Sequence, residues 1–187
     1  MKKIIFVFLL IFALTAIYAE TNKVEISFTF TKQNGFASNQ FAVWIEDARG
    51  NYIKTLYATK FTAAGGWKKR EMSLPVWVKQ SKLSEMTKTQ IDAVSGPTPK
   101  NGLLKYNWDG TDAAGKAVSP GEYKVKVEAT LRNENQALYT ASVKLSNLTT
   151  ADEKKAGSVN IKTEAEVVYS GKSTEERGMI GSVTVSY

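Results

Sequence analysis

Along much of the chain apolar and polar residues alternate with a period of two, the spacing of a strand with one face on a core and the other in water. The clearest case begins at Tyr123. Tyr123, Val125, Val127, Ala129 and Leu131 fall on one face, and Lys124, Lys126, Glu128 and Thr130 on the other. Val24, Ile26, Phe28 and Phe30 repeat the pattern in an earlier strand. In residues 41–47, Phe41, Val43 and Ile45 share a face while Trp44 takes the opposite one. Both faces are apolar there, which predicts a central strand covered on two sides. Arg49-Gly50-Asn51 predicts a hairpin turn into a third strand over 52–57, with a register that the apolar pattern fixes. Further strands are expected over 103–108, 137–145, 161–169 and 179–187.

One segment breaks this period. Trp77 and Val78 lie three and four residues after Leu74, and Pro75 stands at an early position. That predicts a short helix over 74–83 with Ser73 as its N-cap, a lid on one end of the fold. About eight strands, one short helix and no alternation of strand with helix define an all-β antiparallel sandwich.

The chain has 187 residues, 43% of them hydrophobic, enough for one domain with a proper core. Its beginning reads differently. Lys2-Lys3, an almost unbroken apolar run from Ile4 to Ile17, and Tyr18-Ala19 have the layout of a secretory signal peptide cut after Ala19. Ile17 stands where a small residue is usual. A retained anchor is the other reading, but the run is shorter than the ~20 residues a span needs. Residues 20–187 are then the folded domain, periplasmic or secreted. Removing two of 25 basic residues leaves 23 against 18 acidic ones, so a formal charge of +7 becomes +5. An exported chain rarely meets nucleic acid, so this mild charge implies solubility or attraction to an anionic surface. Lys68-Lys69-Arg70 is the one basic cluster and reads as a solvated loop.

The chain contains no Cys and no His. Disulfides, thiolate nucleophiles, cysteine-held iron–sulfur clusters and lipid-modified cysteines are excluded. So are a Ser-His-Asp triad, a His-bound haem and the usual catalytic zinc. An enzyme built on this chain would work with carboxylates, Lys, Tyr, Ser or Thr, or with an attached cofactor. Glu46 and Asp47 are adjacent on a strand end and point to opposite faces, which makes them a poor acid/base pair. The expectation is a non-catalytic module without a metal.

Residues 91–123 hold three of the four prolines and five of the thirteen glycines, a composition that loops of defined shape require. Asp109, Thr111 and Asp112 could offer oxygen to calcium, but the calcium-loop spacing is not met and turn-forming hydrogen bonds are the simpler role. Trp108-Asp109-Gly110-Thr111-Asp112, followed by Gly115, Val118, Gly121 and Tyr123, resembles a signature of immunoglobulin-like domains such as that of the flagellar hook-capping protein. The resemblance implies an immunoglobulin-like sandwich and no activity.

A wider resemblance rests on Ala42 to Asp47, Gly50, Lys54-Thr55-Leu56, Trp77, Asp92 to Pro99 and the block from Trp108 to Tyr123. It is to a bacterial family of predicted periplasmic proteins, domain of unknown function 2271. The resemblance implies export and this fold, and a setting near flavin transferases and membrane redox components.

Within it, Asp92-Ala93-Val94-Ser95-Gly96-Pro97-Thr98 resembles the motif at which a flavin transferase attaches FMN to a threonine through a phosphoester. Thr98 would be the acceptor, Asp92 the motif's acidic residue, and Ser95-Gly96 the loop the transferase grips. Pro97 departs from the motif's usual Ala and removes an N–H. The alternative reading of the same residues is a structural turn. Trp44, Trp67, Trp77 and Trp108 read either as core or as a shared aromatic surface. Asn147-Leu148-Thr149 is a glycosylation sequon, idle in a bacterial context. Two functions stay open: a binding or accessory module for an extracytosolic protein partner, and a redox carrier with covalent FMN.

Overall fold

The computed structural model describes residues 23–34, 38–131, 135–145, 168–170 and 178–186. The expected signal peptide over 1–19, the sequon at 147–149 and most of the strand expected over 161–169 lie outside them. In chain order the elements are β1 (Val24–Phe30), β2 (Asn39–Asp47), β3 (Tyr52–Thr59), α1 (Lys60–Ala63), α2 (Pro75–Gln80), α3 (Lys88–Val94), β4 (Ser95–Gly96), β5 (Gly102–Trp108), β6 (Gly121–Leu131), β7 (Asn135–Leu145), β8 (Val168–Ser170) and β9 (Thr184–Ser186). Two 3-10 turns, Gly66–Lys68 and Leu83–Glu85, join the helices.

The strands form two sheets, in the orders β5-β1-β9 and β4-β3-β2-β6-β7-β8. All neighbours are antiparallel except β3 and β4. The sheets stack through the faces that the alternation marks as apolar. Phe28 and Phe30 of β1, Phe41, Val43 and Ile45 of β2, and Val125 and Val127 of β6 are all buried between them. Phe28 and Phe41 meet edge-on with ring centroids 5.7 Å apart. Trp108 packs on Tyr123 at 5.0 Å at the far end of the same core.

The order β3-β2-β6-β7 is that of the C′, C, F and G strands of an immunoglobulin-type sandwich, and β1-β5 is its B-E pair. β9 flanks β1 where strand A would lie. At the corner between β5 and β6 the Tyr123 hydroxyl donates to Ser119 O at 2.5 Å. That is the tyrosine corner of the same architecture. The Asp109–Val118 connection is held by its own carboxylates. Asp109 accepts from Thr111 N and Oγ1, and Asp112 from Ala114 N and Lys116 N.

Helical content exceeds the single helix the sequence predicts, and it covers a face rather than an end. Residues 60–94, between β3 and β4, lie over the outer side of the larger sheet. There Trp44 and Ala42 of β2 and Ala58 of β3 join Ala63, Leu74, Trp77 and Leu83 in a second core. This explains the doubly apolar middle of β2. It also corrects the outward face of β6, because Glu128 and Thr130 are buried beneath the cap rather than in water. Ser73 does not cap α2. Leu74 takes the N-cap position with φ 54°, ψ 54°, and the Ser73 hydroxyl bonds instead to Thr62 Oγ1 at 2.6 Å.

Candidate functional site

The cap is tied to the sheet by buried polar groups. Gln40 of β2 presents Oε1 to Thr59 Oγ1, Thr62 Oγ1 and Thr62 N at 2.7, 2.9 and 3.1 Å. Arg70 lies over the Phe61 ring, 5.2 Å from its centroid. It donates to Ser38 O, Ser38 Oγ and Ser73 Oγ. Arg70 therefore leaves the expected solvated loop and clamps the cap, while Lys68 and Lys69 stay exposed. Trp77 donates its indole N–H to Thr55 Oγ1 at 2.9 Å. Glu128 of β6 accepts from Trp77 N at 2.7 Å and Val76 N at 3.2 Å, and from Gln136 Nε2 at 2.7 Å. The first amides of α2 thus find their acceptor across the sheet instead of in a local cap. Burial pushes the Glu128 carboxyl above its ordinary range, and the amides of Trp77 and Val76 pull it partly back.

α3 begins with a capping box: Gln90 N donates to Thr87 Oγ1, and Thr87 N to Gln90 Oε1. The spacing Thr87-x-x-Gln90 is the sequence signal that marks this helix. Asp92 sits on its exposed side, 2.5 Å from Lys88 Nζ one turn earlier. That ammonium holds the Asp92 carboxyl below the usual carboxylate range and is itself held protonated to higher pH.

From α3 the chain enters β4, where Ser95 and Gly96 pair in parallel with Ala58 and Thr59. The Ser95 hydroxyl oxygen is enclosed without a hydrogen bond among the described residues. Gly96 lies flush on Tyr57: a Cβ there would come within 2.9 Å of the ring. Tyr57 then donates its hydroxyl to Pro97 O at 2.5 Å. Thr98 is half-buried, and its Oγ1 donates to Asn39 O at 3.3 Å. The segment from Ser95 to Thr98 is therefore pinned to β3 and then crosses toward β2. Asp92 stands apart from Ser95, Gly96 and Thr98, on the preceding helix.

Where α1, the Gly66–Lys68 turn, the Leu83–Met86 stretch and α3 meet, the cap leaves a cleft of about 480 Å³. Its apolar lining comes from Trp67, Leu83, Met86 and Ile91, and its polar lining includes Lys60, Lys68, Lys88 and Asp92. Lys68 Nζ lies 5.6 Å from the centroid of the Trp67 ring. Of the residues singled out in the sequence, Asp92 of the flavin-like motif and Trp67 of the four tryptophans line this cleft. Trp44, Trp77 and Trp108 are core, whereas Trp67 is half-buried at the cleft wall. Sequence reasoning misses Lys60, Met86 and Ile91 because they lie on three separate short segments that share no period.

Among the described residues no group of three or more Asp, Glu, His or Cys side chains is gathered as a metal site would require. The buried carboxylates are engaged elsewhere: Glu46 accepts from Trp44 Nε1 at 2.7 Å, and Glu128 holds α2.

Sheet order, tyrosine corner and capped outer face define an immunoglobulin-like β-sandwich bearing a helical insertion on one face. No described helix is long and apolar enough to cross a membrane. The chain belongs to the family of predicted periplasmic proteins known as domain of unknown function 2271, whose model matches residues 21–163. No curated protein and no solved structure matches it.

Proposed function

We propose that this chain, exported and cut after Ala19, is a non-enzymatic binding or accessory module. The sandwich is the scaffold and the cap between β3 and β4 is the recognition element. The observation that carries this reading is the cleft of about 480 Å³ with an apolar floor and a cationic rim, within the size range of small-molecule sites. The test is a thermal-shift panel of anionic, neutral and cationic small molecules on the exported chain. A ligand at ~100 times its dissociation constant adds about 2.7 kcal/mol, or roughly 5–10 °C in midpoint for a chain of this size. Trp67→Ala should remove the shift. A panel in which no compound of any charge gives a Trp67-dependent shift would defeat the reading.

A second reading is a redox carrier with FMN on Thr98, exchanging electrons with a membrane partner. Two observations favour it: α3, with Asp92 in the cleft wall, runs directly into Ser95 and Gly96, and among the described residues the Thr98 hydroxyl is held only by a long bond of 3.3 Å to Asn39 O. The chain would supply position and electrostatics, and bound FMN the electron transfer. Co-expression with an active flavin transferase should give a yellow protein heavier by one FMN less a water, as a phosphoester requires, with both colour and added mass lost in Thr98→Ala. A colourless chain of unmodified mass, with the transferase active on a control substrate, excludes it.

A further inference from the structure

The cleft's lining indicates what kind of ligand it takes; this inference rests on the binding-module reading. Three lysines line it against one aspartate. Lys88 and Asp92 pair with each other across one helical turn. Lys60 and Lys68 have no carboxylate within ion-pair distance among the described residues. Asp92 also lies within electrostatic reach of Lys60, so the rim carries a net positive charge, three ammoniums against one carboxylate, around a hollow that Met86 and Ile91 make apolar. Trp67 adds a flat ring at its wall, with the Lys68 ammonium 5.6 Å from the ring centroid. An aromatic body can stack on that indole while an acid group meets the ammoniums.

The apolar residues are recessed rather than protruding. Leu83 is buried and Trp67, Met86 and Ile91 are half-buried. A lipid surface needs apolar side chains that stand out from the protein; a small molecule needs a hollow. The volume suits the latter.

We propose that the cleft between α1 and α3 binds a small aromatic organic anion, its ring on Trp67 and its acid group between Lys60 and Lys68.

The probes are 8-anilino-1-naphthalenesulfonate, an aromatic anion, and N-phenyl-1-naphthylamine, its neutral counterpart, titrated by fluorescence into the chain recovered from the periplasm. Each ammonium within about 4 Å of the sulfonate contributes about fivefold in affinity even at the dielectric of water. Lys60→Gln with Lys68→Gln should weaken the sulfonate at least about tenfold and leave the neutral probe within about twofold. Trp67→Ala should weaken both. Thermal midpoints check that the variants are folded.

A measurement on the unaltered chain stands beside these. Raising salt from about 0.05 to about 0.5 M should weaken the sulfonate and spare the neutral probe. Sulfonate affinity that is unmoved by salt and by the double substitution overturns the proposal. So does sulfonate binding no tighter than that of the neutral probe. If only the neutral probe binds, and needs Trp67, the anion assignment falls and the binding-module reading stands. If no probe needs Trp67, both fall.

Discussion

Glu128→Ala removes the acceptor on which the start of α2 depends. In the native fold the carboxylate takes three donors, Trp77 N, Val76 N and Gln136 Nε2, at 2.7, 3.2 and 2.7 Å. Alanine leaves the two amides facing a buried void. A buried donor left without an acceptor costs about 1–3 kcal/mol. Relief from burying a charge offsets part of this, so the expected net loss is roughly 2–4 kcal/mol. Glu128→Gln keeps one acceptor oxygen and separates charge from shape. The native carboxyl titrates above its ordinary value of 4.5, chiefly through burial. Between that value and the raised one the folded state binds more protons than the unfolded state, so this group makes stability fall as pH rises. The contribution is fully present below the unfolded value and gone above the folded one. Glu128→Gln has no such titration. Its stability deficit against the native chain should therefore be largest at acid pH and shrink toward neutrality. Urea unfolding from about pH 4.5 to about pH 8, followed by tryptophan emission, reads both quantities. A deficit of Glu128→Gln that does not change with pH, or a loss below about 1 kcal/mol for Glu128→Ala, refutes the argument.

Three further substitutions probe other parts of the fold. Tyr123→Phe removes the hydroxyl bond to Ser119 O but keeps the ring on Trp108, and should cost about 1 kcal/mol in urea unfolding without altering the tryptophan bands of the near-ultraviolet spectrum. Gly96→Ala drives a Cβ to 2.9 Å from a Tyr57 ring that is stacked on Phe41 and tied to Pro97. It should cost about 1–3 kcal/mol and speed amide exchange at positions 95, 96 and 98. Glu25→Gln breaks the Lys105 bridge at 2.8 Å, but both side chains reach water, so unfolding should change by less than about 1 kcal/mol.

The parts of the fold legible in the sequence are those where one physical constraint acts alone. β1 and the first part of β6, residues 121–126, each bury one face against the opposite sheet, so a period of two survives in the residues. Asp109 and Asp112 satisfy backbone amides two residues on, and Gly50 supplies φ 85° in the hairpin turn. Both are local and readable.

The cap is legible only in fragments, because its apolar residues answer to the sheet below and not to a helical period. Leu74 caps one short helix and Trp77 lies in it, Ala63 belongs to another and Leu83 to a 3-10 turn, yet all join Trp44 in one buried cluster. Glu128 and Thr130 look solvent-facing from the alternation of β6, since nothing nearby in sequence says that residues 60–94 return to cover them. The cleft is hidden for the same reason. Its lining residues are separated by up to thirty-two positions, Lys60 to Asp92, and only the folded cap brings them to one hollow.

The cap is not a detachable ornament. β2 lies between β3 and β6 at the middle of the larger sheet. Its inner residues Phe41, Val43 and Ile45 need the smaller sheet, and its outer residues Ala42 and Trp44 need the cap. Removing residues 60–94 would bare Trp44 and the buried carboxylate of Glu128 together. Keeping the cap but opening it would cost the bonds from Gln40, Thr55 and Glu128 at once, since all three reach the cap from the same sheet. A ligand in the cleft therefore presses on elements whose other faces are fixed to the central strands. Binding there should raise the unfolding midpoint of the whole assembly instead of tightening a loop alone. Hydrogen exchange separates these outcomes, because slowed exchange limited to 60–94 would mean that the cap moves independently of β2 and β6.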